Sequence, residues 1–160
     1  MAVKDILLLG DPFLYQMAEP VDPAEMKELQ PKIQLMWDSI LDIRSTFGFG
    51  RAIAAPQIGL SKRIIALHIH KPEVMINPEI LEKSDELFEL WDDCMSFPKL
   101  LVKVRRHRWI RVSHFDLNWD KHERILEDDL SELIQHEYDH LDGILATQRA
   151  IDNTSFKWKT

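Results

Sequence analysis

The sequence contains a single cysteine, Cys94, so no disulfide can form within the chain and a reducing, cytoplasmic setting is expected. No apolar run approaches the ~20 residues of a membrane span, and the first residues lack a signal peptide's apolar stretch, so no membrane role is expected. Basic residues are the minority, 20 Lys+Arg against 27 Asp+Glu, and the net charge of −7 opposes stable association with nucleic acid. Glycine and proline number only 5 and 8, which excludes collagen-like and low-complexity architectures. What remains, 45% hydrophobic and 29% charged over 160 residues, is ordinary globular composition, read as one domain over 1–160.

Asp22-Pro23-Ala24-Glu25 combines an N-cap acceptor, a proline at the first helical position and an acid three residues after the cap, which predicts a helix start. Met26, Leu29, Ile33, Met36, Ile40 and Ile43 then lay down one apolar stripe, ending at Gly48. Pro31 falls inside this stripe, and its missing N–H predicts a kink or a fresh start near Gln30. From Lys62 to Leu126 the periodicity becomes two. Ile64–Leu67 reads as a buried strand, Leu100–Phe115 as a strand pair, and Asn118–Lys121 as a turn before another strand. A last helix is expected from a cap near Asp128 to Gly143, followed by a loose tail to Thr160. The class is α+β: antiparallel or mixed sheets packed around a C-terminal helix, with one N-terminal helix.

That last helix contains His136-Glu137-Tyr138-Asp139-His140. At ~100° per residue, Leu130, Leu133, Ile134 and Leu141 share a sector with Glu137 in its middle and both histidines on its flank. Ser131, Gln135, Asp139 and Asp142 fall on the other, polar side. Histidines at i and i+4 can chelate one metal ion while the adjacent acid holds a water. A catalytic site usually needs a third protein ligand. Downstream of His140 there is no Glu or His, leaving Asp142 and Asp152, while upstream Cys94 sits in Trp-Asp-Asp-Cys-Met-Ser-Phe-Pro and offers a thiolate suited to Zn or Fe.

Three stretches, in order, carry a resemblance to the peptide deformylases: Gly50-Arg51-Ala52-Ile53-Ala54-Ala55-Pro56-Gln57, Asp92-Asp93-Cys94-Met95-Ser96, and Gln135-His136-Glu137-Tyr138-Asp139-His140-Leu141-Asp142-Gly143. Fainter echoes are Gly10-Asp11-Pro12, Pro20-Val21 and Ile76-Asn77-Pro78. The resemblance implies that Cys94, His136 and His140 hold one divalent metal, Fe2+ foremost with Zn2+, Ni2+ or Co2+ as alternatives, and that water takes the fourth position. It implies further that Glu137 is general base and acid, and that Gln57 and the Met95 N–H meet the oxyanion. Arg51, Ala52, Ile53 and Leu133 would contact the substrate, an N-formylated peptide on ribosome-proximal nascent chains.

The departures from the family pattern bear on substrate rather than reaction. Ala52 replaces a glycine, Asp92-Asp93 replaces Glu-Gly, and Pro98-Lys99-Leu100-Leu101 lacks the family's arginine, for which Arg51 or Lys99 could substitute. Glu132, one turn before His136, makes a pocket suited to methionine more polar. Alternative readings are a hydrolase of another N-formylated molecule, a zincin-like protease, or a non-catalytic metal-binding module. The basic residues between Lys103 and Arg111 read as the solvated face of a strand. The oligomeric state is not legible.

Overall fold

A computed structural model describes residues 5–160. Two helices and eight strands run in the order α1 (Met26–Phe47), β1 (Ala52–Ala54), β2 (Ile64–His68), β3 (Pro72–Lys83), β4 (Leu87–Asp92), β5 (Leu100–His107), β6 (Trp109–Phe115), β7 (Lys121–Glu127), α2 (Asp128–Leu141) and β8 (Phe156–Trp158). One antiparallel sheet has the order β1-β2-β3-β6-β7, and a second has the order β4-β5-β8. This is the α+β architecture expected from the sequence.

Strand alternation places the two helices on opposite faces of the larger sheet. Ile53, Ile64, Ala66, Val74 and Ile76 pack with Ile33, Met36, Ile40 and Ile43 of α1. Ala52, Ala54, Ile65 and Leu67 point the other way and pack with Leu133, Ile134 and Leu141 of α2. The parity of β1 therefore separates Ala52 from Ile53, because successive side chains of a strand project to opposite faces. A third cluster, Cys94, Phe97, Val102, Val104 and Ala146, lies beneath the smaller sheet. No helix among the described residues is long and apolar enough to cross a membrane.

The first helix opens as predicted. Asp22 Oδ1 accepts from the Ala24 N–H at 2.9 Å, and Glu25 Oε1 accepts from the Asp22 N–H at 2.9 Å. A 3-10 turn over Pro23–Glu25 leads into α1. Pro31 does not restart the helix: α1 runs unbroken from Met26 to Phe47 with Pro31 inside it. Pro31 and Lys27 are both exposed, so water can take the Lys27 carbonyl that the missing N–H leaves unbonded.

Two further expectations are corrected. The segment to Thr160 is no loose tail: Phe156, Lys157 and Trp158 pair with Val102, Leu101 and Leu100, and the Lys159 N–H donates to the Lys99 carbonyl at 2.9 Å. Asp128 does not cap α2 through its side chain; it holds φ at 51° while its backbone N–H donates to the Arg108 carbonyl at 2.9 Å. The polar side of α2 is also buried, since Ser131 and Gln135 grip the end of β5. Both donate to the His107 carbonyl, at 2.8 and 2.9 Å, and Gln135 Oε1 accepts the His107 N–H at 3.0 Å.

The C-terminal end of α2 is closed by the N-terminal segment. The Ala18 N–H and Arg63 Nη1 donate to the Leu141 carbonyl at 2.8 and 2.9 Å. Gly143 lies against Tyr15 at φ 74°, where an added Cβ would sit 2.5 Å from the Tyr15 carbonyl oxygen. Gly143→Ala is therefore expected to cost about 2–4 kcal/mol. Gly10→Ala, at φ 100° with nothing within 4 Å, should cost only about 1 kcal/mol. Urea midpoints of the two variants measure the difference.

Candidate metal centre and active site

Cys94 follows β4, and its backbone carbonyl accepts from the Phe97 N–H at 3.1 Å, closing a tight turn over Met95 and Ser96. This turn faces α2, where the four-residue spacing stacks His136 and His140 on one flank. Their ring centroids are 5.1 Å apart. One ligand atom from each of Cys94, His136 and His140 lies within 4.8 Å of the others, and all three residues are buried. Cys94 Sγ is 3.4 Å from His140 Nε2. It also accepts from the Ser96 N–H at 3.5 Å and from Gln57 Nε2 at 3.6 Å.

One imidazole is set by what lies behind it, whereas His140 Nδ1 is buried without a hydrogen-bond partner among the described residues. Asp92 Oδ2 is 2.7 Å from His136 Nδ1, which leaves Nε2 as the ligating nitrogen. Burial lowers the pKa of His136, but Asp92 and Cys94 outweigh it and raise the group well above the ordinary imidazole range. His140 goes the other way. Burial, with the charge of His136, drives it well below that range, so its ring is neutral and ready to ligate. Asp92 is itself buried, yet His136 and Arg106 hold its carboxyl below the ordinary aspartate value. Arg106 donates to Asp92 Oδ2 at 3.1 Å and to Asp139 Oδ2 at 2.8 Å, and Arg149 contacts the same Asp139 at 3.2 Å. A soft thiolate with two imidazoles, buried and converging, is a donor set that fits a divalent transition metal.

Glu137 is 4% exposed and its Oε1 has no hydrogen-bond partner, so burial pushes its carboxyl up to about 7. A buried unpartnered carboxylate beside a metal-ligand set is a proton acceptor held in reserve. A cavity of about 80 Å³, with room for several waters, opens onto it. Gln57, Met95, Arg51, Ala52, Leu133, Cys94, His136 and Glu137 all line this space, together with Phe49, Gly50, Asp92 and Asp93.

Among the residues expected at the site, Ile53 and Lys99 are elsewhere. Ile53 is fully buried against α1, because β1 alternates, and Lys99 is exposed outside the cavity. Gln57 is fixed by its own turn: Oε1 accepts the Ala54 N–H at 3.0 Å, and Nε2 also donates to Ser96 Oγ at 3.1 Å. The Met95 N–H takes no part in the hydrogen bonds among the described residues. Missed from the sequence were Asp92 as the partner of His136 and Arg106 as the partner of Asp92. The parity of Val102 and Val104 could have marked Arg106 as inward, against the reading of this stretch as a wholly solvated face.

A family model described as polypeptide deformylase matches residues 3–156. The chain belongs to the polypeptide deformylase family. It is 37% identical over 143 residues to a peptide deformylase of Pseudothermotoga lettingae, covering 89% of this chain and 80% of that one. Its identity to the peptide deformylase of Natranaerobius thermophilus is also 37%, over 154 residues and 94% of each chain. The crystal structure of peptide deformylase from Thermotoga maritima superposes with a TM-score of 0.84 at 32% identity, over 92% of this chain and 97% of that one. A peptide deformylase from Synechococcus elongatus in complex with actinonin gives 0.86 at 30% identity, over 94% and 80%. The deformylase family and the Cys-His-His group together support a divalent metal.

Asp92→Asn keeps the shape but removes the charge that orients His136, and is expected to weaken metal affinity about 10–100-fold, read by chelator competition. In metal-free protein the stabilisation from Asp92, whose folded pKa is depressed, is present above the ordinary value near ~3.9 and is lost as pH falls through the folded pKa. Denaturant unfolding should therefore show the gap between wild type and Asp92→Asn shrinking as the buffer is acidified through that window.

Proposed function

We propose that this protein is a metal-dependent hydrolase that removes the formyl group from N-formylated peptides, formyl-methionyl peptides being the reference substrate. The observation that carries this reading is the meeting of Cys94, His136 and His140 beside the buried Glu137, in a chain of the deformylase family. Cys94, His136 and His140 would hold a divalent cation, Fe2+ in this reading with Zn2+, Ni2+ or Co2+ as substitutes, which would supply Lewis acidity toward a water and a carbonyl oxygen.

The chain's own residues supply the rest. Glu137 takes the water's proton on a carboxylate oxygen, the oxygen attacks the formyl carbon, and the same carboxyl passes the proton to the amide nitrogen as the C–N bond breaks. Formate and a free amine result. A carboxyl near pH 7 suits both transfers, since it gains and loses the proton at similar cost. Gln57 Nε2 and the Met95 N–H donate to the oxyanion, each such donor being worth about 3–4 kcal/mol in other enzymes. Arg51, Ala52 and Leu133 line the cavity that the substrate would enter. Residues 1–160 act as one catalytic domain, in the cytoplasm, on peptides such as those leaving the ribosome. The donor set favours this reading over a zincin-like protease, whose third ligand lies downstream of the helix.

Glu137→Gln is expected to reduce formate release from formyl-Met-Ala-Ser by at least ~100-fold while one metal per chain is retained. Cys94→Ala should lose the metal itself. For wild type, kcat/KM should fall as pH drops below about 7, because a protonated Glu137 cannot accept the water's proton. Coupled formate detection across a pH series, with elemental analysis of each variant, tests all three.

A further inference from the structure

Arg51 and Glu132 take no part in the proton transfers, yet they stand beside them. Arg51 lines the metal cavity, where its neighbours include Phe49, Met95 and Leu133. It also lines the adjoining surface groove with Leu67, Ile69 and Leu130, and no other residue is common to the two. A side chain leaving the cavity toward the groove therefore passes its guanidinium. Arg51 Nη2 donates to Glu132 Oε1 at 2.7 Å, with the two side chains 39% and 7% exposed. Glu132 belongs to α2 one turn before His136, so the pair is fixed relative to the metal ligands.

Three constraints decide what such a pair can accept. Pulling Arg51 away would leave the buried Glu132 carboxylate unpaired, which is strongly unfavourable, so an incoming group meets Arg51 with Glu132 still attached. The rest of the guanidinium rim, the N–H groups on Nε and Nη1, has donors only and so calls for an acceptor. Glu132, Asp93 and Asp129 already surround Arg51, and Asp92 and Glu137 line the same cavity, so a further carboxylate is repelled. A thioether chain laid against that edge would strip its water and return no hydrogen bond.

We infer that the Arg51–Glu132 pair determines specificity: it selects N-formylated substrates whose first side chain ends in an uncharged acceptor oxygen, as glutamine's does, over methionine. This rests on the deformylase reading of the cavity. The test is kcat/KM for formate release by iron-loaded enzyme from formyl-Gln-Ala-Ser, formyl-Met-Ala-Ser and formyl-Glu-Ala-Ser. Wild type is expected to prefer the glutamine peptide to each of the others by at least ~10-fold. Arg51→Leu combined with Glu132→Leu removes the pair without stranding a charge and should turn the preference to methionine with metal content unchanged. Arg51→Lys keeps the charge but cannot hold Glu132 and offer further planar N–H donors at once, and should abolish the glutamine preference even if the double variant does not fold. Equal or better turnover of formyl-Met by wild type overturns the inference and leaves the deformylase reading standing, as does a glutamine preference that survives in Arg51→Lys. If no peptide is hydrolysed, the deformylase reading fails. Calorimetry of zinc-loaded protein with Gln-Ala-Ser and Met-Ala-Ser then decides the inference, tighter binding of the former upholding it and equal binding overturning it.

Discussion

The buried guanidinium of Arg106 is the constraint on which the metal centre depends. It is 4% exposed, and its charge is tolerated because Asp92 at the end of β4 and Asp139 on α2 both receive its hydrogen bonds. Removing one partner of such a buried pair typically costs about 3–5 kcal/mol, far more than a surface ion pair contributes. Asp92 in turn orients His136. The smaller sheet and the C-terminal helix are thus joined by the same charges that aim a ligand, and the site cannot form before they dock.

The larger sheet supplies the other half of the frame. Because β1 and β2 are buried on both faces, α1 and α2 never touch the same side chains of those strands, and each helix has its own apolar cluster. Helix α2 departs from ordinary amphipathic behaviour, since even Ser131, Gln135 and Asp139 are buried. Ser131, Gln135 and Asp139 are satisfied by backbone and guanidinium groups, as burial away from water requires, while His140 Nδ1 is buried without a partner among the described residues. Only Glu137 is left with an oxygen unpartnered within this helix, and that is where a reacting proton has use for it.

Much of this was legible in the chain. The stripe from Met26 to Ile43, the period-two middle and the four-residue histidine spacing each follow from local geometry, and each is present as read. The thiol was found by eliminating downstream ligands and by resemblance. What escaped depends on partners remote in sequence. Asp92 reads as a surplus negative charge until Arg106 and His136 are placed around it. Ile53 lies inside the right motif, but strand parity turns it toward α1. The C-terminal segment looks featureless because Phe156, Lys157 and Trp158 are all exposed on an edge strand, which is held by backbone pairing rather than by an apolar pattern.

That last strand also reaches the site, through the residue that follows it. Lys159 Nζ reaches Asp93 at 3.3 Å and lies 3.4 Å from the centre of the Phe49 ring, so the segment made after all three ligands braces the wall around Cys94. A segment with no ligand of its own thus stiffens the enclosure of the thiol, so loosening this edge pairing would loosen the turn that carries Cys94.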